Sequence, residues 1–256
     1  MAVLVAVAFI PSVIYLVWIR NAERFSREPF GKLLVVFAYG AIVSVLIAIV
    51  LELLLMGLFN RNLERVYQFL GENPTLEILV LACIVAPLVE EASKGLGARK
   101  ARRSMTELEN GIVYGAAAGL GFAATENLMY ESMAYFSDGA QAWMATAVLR
   151  SFSSALLHAT ASSLLGLGIA RSVTGKGSWI PYYLGAVAIH AAFNFAASFG
   201  TIYEDSLGEV AYTIGIAAAL MLAIVGILTM RQKIRTLDNG HSRRVRRLRK
   251  RAGPRS

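Results

Sequence analysis

The chain has 256 residues, 56% of them hydrophobic and only 16% charged, with a mean hydropathy of +0.56. A soluble domain carries about 25% charged residues, so water is excluded as the main solvent. A net charge of +8 does not point to nucleic acid here, because the basic residues sit at the ends of apolar runs and in the C-terminal tail rather than on a folded surface. Cys83 is the only cysteine, which excludes an intrachain disulfide and a cysteine-based zinc module.

In chain order, apolar runs predict spans at about 2–19, 33–59, 76–98, 110–136, 143–170, 179–200 and 209–230. Each is long enough for a membrane helix, and each must satisfy its backbone amides within its own segment. The expected fold class is therefore all-α, a polytopic transmembrane helix bundle of about seven spans. It forms a single transmembrane domain over about 1–230, with a functional core at about 76–200, followed by a disordered basic tail at about 231–256. The first span lacks a basic residue ahead of it and is read as an uncleaved helix, not a signal peptide. Span 4 carries Gly111, Gly115 and Gly119 at four-residue spacing, a pattern that lets a second helix approach closely.

Arg20, Arg24, Arg27 and Lys32 follow span 1, Arg99, Lys100, Arg102 and Arg103 follow span 3, and Arg171 and Lys176 follow span 5. The alternate loops hold Arg61 and Arg65 with acidic residues such as Glu131, Asp138, Glu204 and Asp205. The positive-inside rule then places the N-terminus outside and the C-terminus in the cytoplasm of a multi-pass protein of the cell membrane. Between spans 2 and 3, Asn60 to Thr75 is amphipathic enough to lie on the outer surface. The tail cluster from Arg243 to Arg251 is expected to anchor topology against anionic lipid headgroups, with no specific nucleic acid as partner.

An ionisable side chain within a span costs several kcal/mol unless it is paired or faces water. Span 3 holds Glu90, Glu91 and Lys94; span 4 holds Glu126 and Asn127; span 5 holds Arg150 and His158; span 6 holds His190 and Asn194. Glu90 and Lys94, Phe122 and Glu126, His158 and Ser162, and His190 and Asn194 are each four apart, so each pair shares a helix face that can line one cavity at one depth. Pro87 opens the backbone just ahead of the paired carboxylates. Two adjacent carboxylates in low dielectric cannot both ionise cheaply unless Lys94, Arg150 or a metal ion compensates. Such a pair suits general acid–base work, and two imidazoles with a carboxylate can hold zinc with one position left for water. Asn194 is placed to donate to an oxyanion, and Arg150 to act as counter-ion for a nearby Glu.

Glu90-Glu91-Ala92-Ser93-Lys94 resembles the EExxK motif of the PrsW intramembrane proteases, and Phe122-Ala-Ala-Thr-Glu126-Asn127 resembles their FxxxEN motif. His158 and His190-Ala-Ala-Phe-Asn194 resemble the two remaining motifs, in order and at the family's spacing. The resemblance covers about half the chain, spans 3 to 6. It implies membership of the superfamily that includes CAAX prenyl endopeptidases and bacteriocin-immunity proteins, with Lys94 and Glu126 favouring the PrsW branch. It also implies a metalloprotease that cuts single-pass membrane proteins such as anti-sigma factors, although a metal-free, glutamate-dependent scheme belongs to the wider superfamily.

The expected chemistry is peptide-bond hydrolysis, with Glu90 or Glu91 as base on a water polarised by His158, His190 and Zn²⁺, and with Asn194 at the oxyanion. Glu126 is then either the third metal ligand or a carboxylate that orients a histidine. The rival expectation is a proton-coupled transporter, because Glu and His relays inside helices serve that purpose too.

Overall fold

The computed structural model describes residues 1–25, 27–55, 57 and 74–251, so the amphipathic segment expected at 60–75 lies almost wholly outside the described residues. All regular structure among the described residues is helical. We number the helices α1 (Ala2–Arg20), α2 (Phe30–Leu55), α3 (Pro74–Val80, Leu81–Val85 and Ala86–Lys100 in one continuous run), α4 (Leu108–Phe152), α5 (Ser154–Val173), α6 (Ile180–Leu207) and α7 (Glu209–Arg251).

The distribution of side chains is the reverse of a soluble protein's. Ile10, Ile14, Val35, Leu46, Leu53, Val148 and Met221 face outward, while Glu90, Glu91, Lys94, His158 and His190 are buried. Exposed apolar faces are stable only against lipid. In α1 the inward face is Leu4, Ala8, Ser12, Leu16 and Ile19, the three-to-four spacing of a single helical stripe. Among the described residues, five helical stretches are long and apolar enough to cross a membrane: Ala2–Arg20, Phe30–Leu55, Leu108–Val173, Ile180–Leu207 and Glu209–Gly240.

The Leu108–Val173 stretch, at 66 residues, is a hairpin. The chain reverses at Gly139, whose φ of 86° and ψ of −171° admit glycine and little else. The two arms then run antiparallel, with Trp143 Nε1 donating to Glu131 (3.3 Å) and Arg150 Nε to Asn127 (2.9 Å) across them. The first arm is the centre of the bundle, and every residue from Glu109 to Ala124 is buried. Its small residues let the second arm in so closely that a Cβ at Gly115 would overlap the Ser162 carbonyl oxygen. Gly115→Leu is accordingly expected to destabilise the bundle by on the order of 3 kcal/mol, read as a fall in thermal midpoint in detergent; an unchanged midpoint would contradict the packing.

Two short π-turns bend the helices that flank this hairpin, and each leaves a carbonyl that a neighbour satisfies. In α2 the turn is Tyr39–Ser44, and Thr125 Oγ1 donates to the Ala41 carbonyl (2.7 Å). In α3 the turn is Leu81–Val85, just before Pro87. Extra residues in a turn rotate the faces that follow, which is how the polar side of α3 comes to face the hairpin.

The basic loops gather at one end of the bundle. There Asp238 of α7 accepts from the Arg24 and Phe25 amides (2.8 and 3.2 Å), Lys32 Nζ donates to Ser104 Oγ (2.8 Å), and Tyr114 donates to Glu28. The stretch from 231 to 240, expected within a disordered tail, is instead helical and docked, with Ile234 and Asp238 buried and Arg231 stacked on Trp18 at 4.1 Å. A charge run reads as solvated when its partners, here backbone amides far away in sequence, carry no sequence signal.

Glu23, in the α1–α2 loop of this cap, is fully buried, with one oxygen accepting from the Glu28 amide (2.8 Å) and the other without a hydrogen bond. Burial pushes its carboxyl up to about 8; the charges of Glu28, Glu109 and Asp238 add to the rise and the Glu28 N–H opposes it. An unfolded carboxyl titrates near 4.5, so between that value and about 8 the folded chain keeps a proton the unfolded chain has lost. Stability from this group is full at the acid end of the window and declines as pH rises to about 8. The thermal midpoint should fall across that range, and Glu23→Gln should flatten the slope.

Candidate active site

The site lies where α3, the α4 hairpin, α5 and α6 meet. In an i to i+5 ladder the Ala82 carbonyl would look to the nitrogen of Pro87, which has no hydrogen. Asn194 Nδ2 donates to that carbonyl instead (2.7 Å). Asn194, expected to steady an oxyanion, thus commits one amide N–H from α6 to the backbone of α3 ahead of Glu90 and Glu91.

Lys94 is the hub. Its buried ammonium lies 2.9 Å from Glu90 Oε2, 3.0 Å from Glu91 Oε1 and 2.7 Å from His158 Nδ1, and 4.1 Å above the Phe122 ring. An ammonium only donates, so His158 Nδ1 accepts and the ring proton sits on Nε2, which donates to Glu126 Oε2 (2.7 Å). Glu126 is held in turn by Arg150 (3.1 Å), which also donates to Asn127 and to Ser154 Oγ (3.1 Å). Arg150 is therefore a counter-ion.

The second imidazole follows the same logic. His190 Nδ1 lies 3.0 Å from Glu91 Oε1, a carboxylate that accepts, so Nδ1 carries the proton and the Nε2 lone pair is left facing Glu90 Oε2 at 3.9 Å. Glu91 is wholly buried and also takes Ser162 Oγ (3.0 Å). The rings of His158 and His190 meet edge to face, with centroids 4.9 Å apart.

Glu90, His158 and His190 offer ligand atoms that all lie within 4.8 Å of one another. Two imidazole nitrogens and one carboxylate oxygen are the donor set of a catalytic zinc with an open position. Each ring's other nitrogen is committed to a carboxylate, Glu126 for His158 and Glu91 for His190, as metal-binding histidines require. The residues present fit such an ion. Of the two roles expected for Glu126, third ligand or orienting carboxylate, its geometry fits the second: it accepts from His158 Nε2, and Glu90 is the carboxylate whose oxygen lies with the two open imidazole nitrogens. Spacing along a helix gives the face, but not which neighbour that face meets.

One acidic residue outside the four motifs also borders this centre. Glu52 of α2 lies within electrostatic range of Glu90, Glu126, Lys94 and His190. A lone carboxylate in a 26-residue apolar helix was the available signal.

A family model described as PrsW family intramembrane metalloprotease matches residues 28–228, a range that holds every residue of this site. Protease PrsW of Clostridioides difficile (strain 630) is 40% identical over 126 residues, 48% of this chain and 48% of that protein. The chain thus spans about half the length of the curated relative it matches. No solved structure matches. The ordered motifs converge in one buried centre, and the family match covers most of the chain: it belongs to the PrsW family of intramembrane metalloproteases.

Proposed function

We propose that this chain is an endopeptidase that hydrolyses peptide bonds of single-pass membrane proteins, anti-sigma factors among them, at a centre built from Glu90, His158 and His190. The observation that carries the proposal is the convergence of two oriented imidazoles on one carboxylate oxygen, at 3.9 and 4.0 Å. A zinc ion held by these three residues would supply a nucleophilic water near neutral pH and polarise the scissile carbonyl. The chain's own part is to fix the ring orientations through Glu91 and Glu126 and to balance the carboxylate charge through Lys94 and Arg150.

A second reading has its own observation. The Lys94 ammonium already lies against Glu90 Oε2 and His158 Nδ1, as a cation would. In that scheme Glu90 takes the proton of a water bridging to the His190 Nε2 lone pair and returns it to the leaving amine, while Lys94 offers positive charge to the oxyanion. Metal analysis separates the two. The zinc reading expects about one zinc per chain, cleavage lost on stripping and regained on zinc addition; zinc-free protein at full rate selects the glutamate scheme. Proton-coupled transport has no comparable observation behind it.

We further infer seven crossings, with the hairpin contributing two and α3 one beside the four remaining long helices. The N-terminus is then outside and the C-terminus cytoplasmic, a reading supported by the basic loops meeting at one end. Reporter insertions at Gly139 and Gly175 should fall on opposite sides.

The activity is tested by comparing newly formed protein termini in membranes that contain wild type or Glu90→Gln. Termini found only with wild type and clustered near membrane spans are expected. Identical sets from equal amounts of folded protein would sink the proposal.

A further inference from the structure

We propose that a cleft on the lipid-facing side of α3 and α5 binds one anionic phospholipid, with its phosphate between Arg99 and Arg102 and an acyl chain along Leu96, Leu165 and Ile169. The cleft has a volume of about 580 Å³ and shares no side chain with the candidate active site. One wall is the outer face of α3, from Ala92 through Leu96 to Arg99; the other is the end of α5, and Trp179 and Tyr183 close the side.

Three features fix the chemistry of the occupant. First, Arg99 and Arg102 are exposed, and neither has a carboxylate partner among the described residues. Paired guanidiniums are the side chains suited to a phosphate, each with a fork of donors. Second, α3 rises roughly 12 Å from Ala92 to its last residue, Lys100, and Arg102 lies in the short turn that follows, so both arginines stand towards the headgroup end of the ~30 Å hydrocarbon core when Ala92 is near mid-membrane. Trp179 and Tyr183, packed edge to face at 5.9 Å, belong at that same interface. Third, the walls below the arginines are apolar. A 12 Å length of helix about 10 Å across needs roughly 900 Å³, well above the cleft's volume of about 580 Å³, so a lipid chain fits and a substrate helix does not. Basic pockets between membrane helices take anionic headgroups on these grounds.

The test is native mass spectrometry of the full chain in neutral detergent, after incubation with equal amounts of phosphatidylglycerol and phosphatidylcholine bearing the same acyl chains. One phosphatidylglycerol per chain should be retained, about tenfold over phosphatidylcholine. The preference should vanish in the Arg99→Gln, Arg102→Gln double variant, and retention should fall in Leu96→Trp, which keeps both arginines and fills the apolar wall. The basic tail is the same in all three proteins, so lipid held there cancels. Thermal midpoints in phosphatidylcholine alone identify any variant that fails to fold, in which case the other variant decides. Equal retention of the two lipids by wild type, or unchanged retention in a folded variant, overturns the proposal. So does equal retention of glycerol phosphate, which would make this a simple phosphate site.

Discussion

Glu90→Gln is expected to cut peptide-bond cleavage by about 10²–10⁴-fold while leaving the thermal midpoint near that of wild type. Both readings of the centre need this oxygen, as a metal ligand or as the base, and an amide serves poorly as either. The fold needs it less. The Glu90 side chain is 11% exposed, its amide oxygen still accepts from Lys94, and Glu91 keeps the ammonium neutralised. Glu91→Gln should behave in the opposite way. Its two oxygens accept from Lys94, His190 and Ser162 with no exposure to solvent, and an amide would turn one acceptor into a donor facing donors. Removing a partner from a buried charge network costs about 3–5 kcal/mol, so this variant should lose stability first and activity as a consequence. The pair is measured by cleavage of a defined substrate at equal folded concentration, beside thermal unfolding in detergent. A fully active Glu90→Gln protein, or a Glu91→Gln protein as stable as wild type, would contradict the assignment of the two carboxylates.

Much of this fold is legible in the sequence because lipid allows few alternatives. The apolar runs at 2–19, 110–136 and 209–230 fall within α1, the first hairpin arm and α7. Motif spacing also places Glu90 with Lys94, Phe122 with Glu126, His158 with Ser162 and His190 with Asn194 on single helix faces, because residues four apart share a face. What could not be read is which face meets which. Glu90 lies among the open nitrogens of both histidines while Glu126 holds the far nitrogen of His158, a division of roles that spacing within each helix leaves open. Asn194 shares a face with His190, yet its amide is taken by the Ala82 carbonyl, a demand created by Pro87 more than 100 residues earlier in the chain. The docking of Asp238 on the Arg24 and Phe25 amides was hidden for the same reason.

Lys94→Met is expected to destabilise the metal-free protein by about 3–5 kcal/mol and, at the same time, to raise its affinity for a divalent metal. The destabilisation follows from what the ammonium touches: Glu90 Oε2, Glu91 Oε1 and His158 Nδ1, all within 3.0 Å, with no solvent to replace it. Methionine fills similar space over Phe122 but leaves two buried carboxylates with no cation between them. Adding Glu91→Gln to Lys94→Met should recover part of the loss, because it removes one of those charges, and a double-mutant cycle reads the coupling directly. The gain in metal affinity follows from competition. In wild type the ammonium holds two of the atoms that a zinc ion would need, Glu90 Oε2 and His158 Nδ1, so metal and lysine contend for the same lone pairs. Zinc added to the purified variant should therefore raise its thermal midpoint by more than it raises that of wild type. A variant destabilised as expected but indifferent to zinc would leave Lys94 as the resident cation of the site and count for the metal-free scheme. A variant as stable as wild type without metal would mean that the two carboxylates do not depend on Lys94 for their charge.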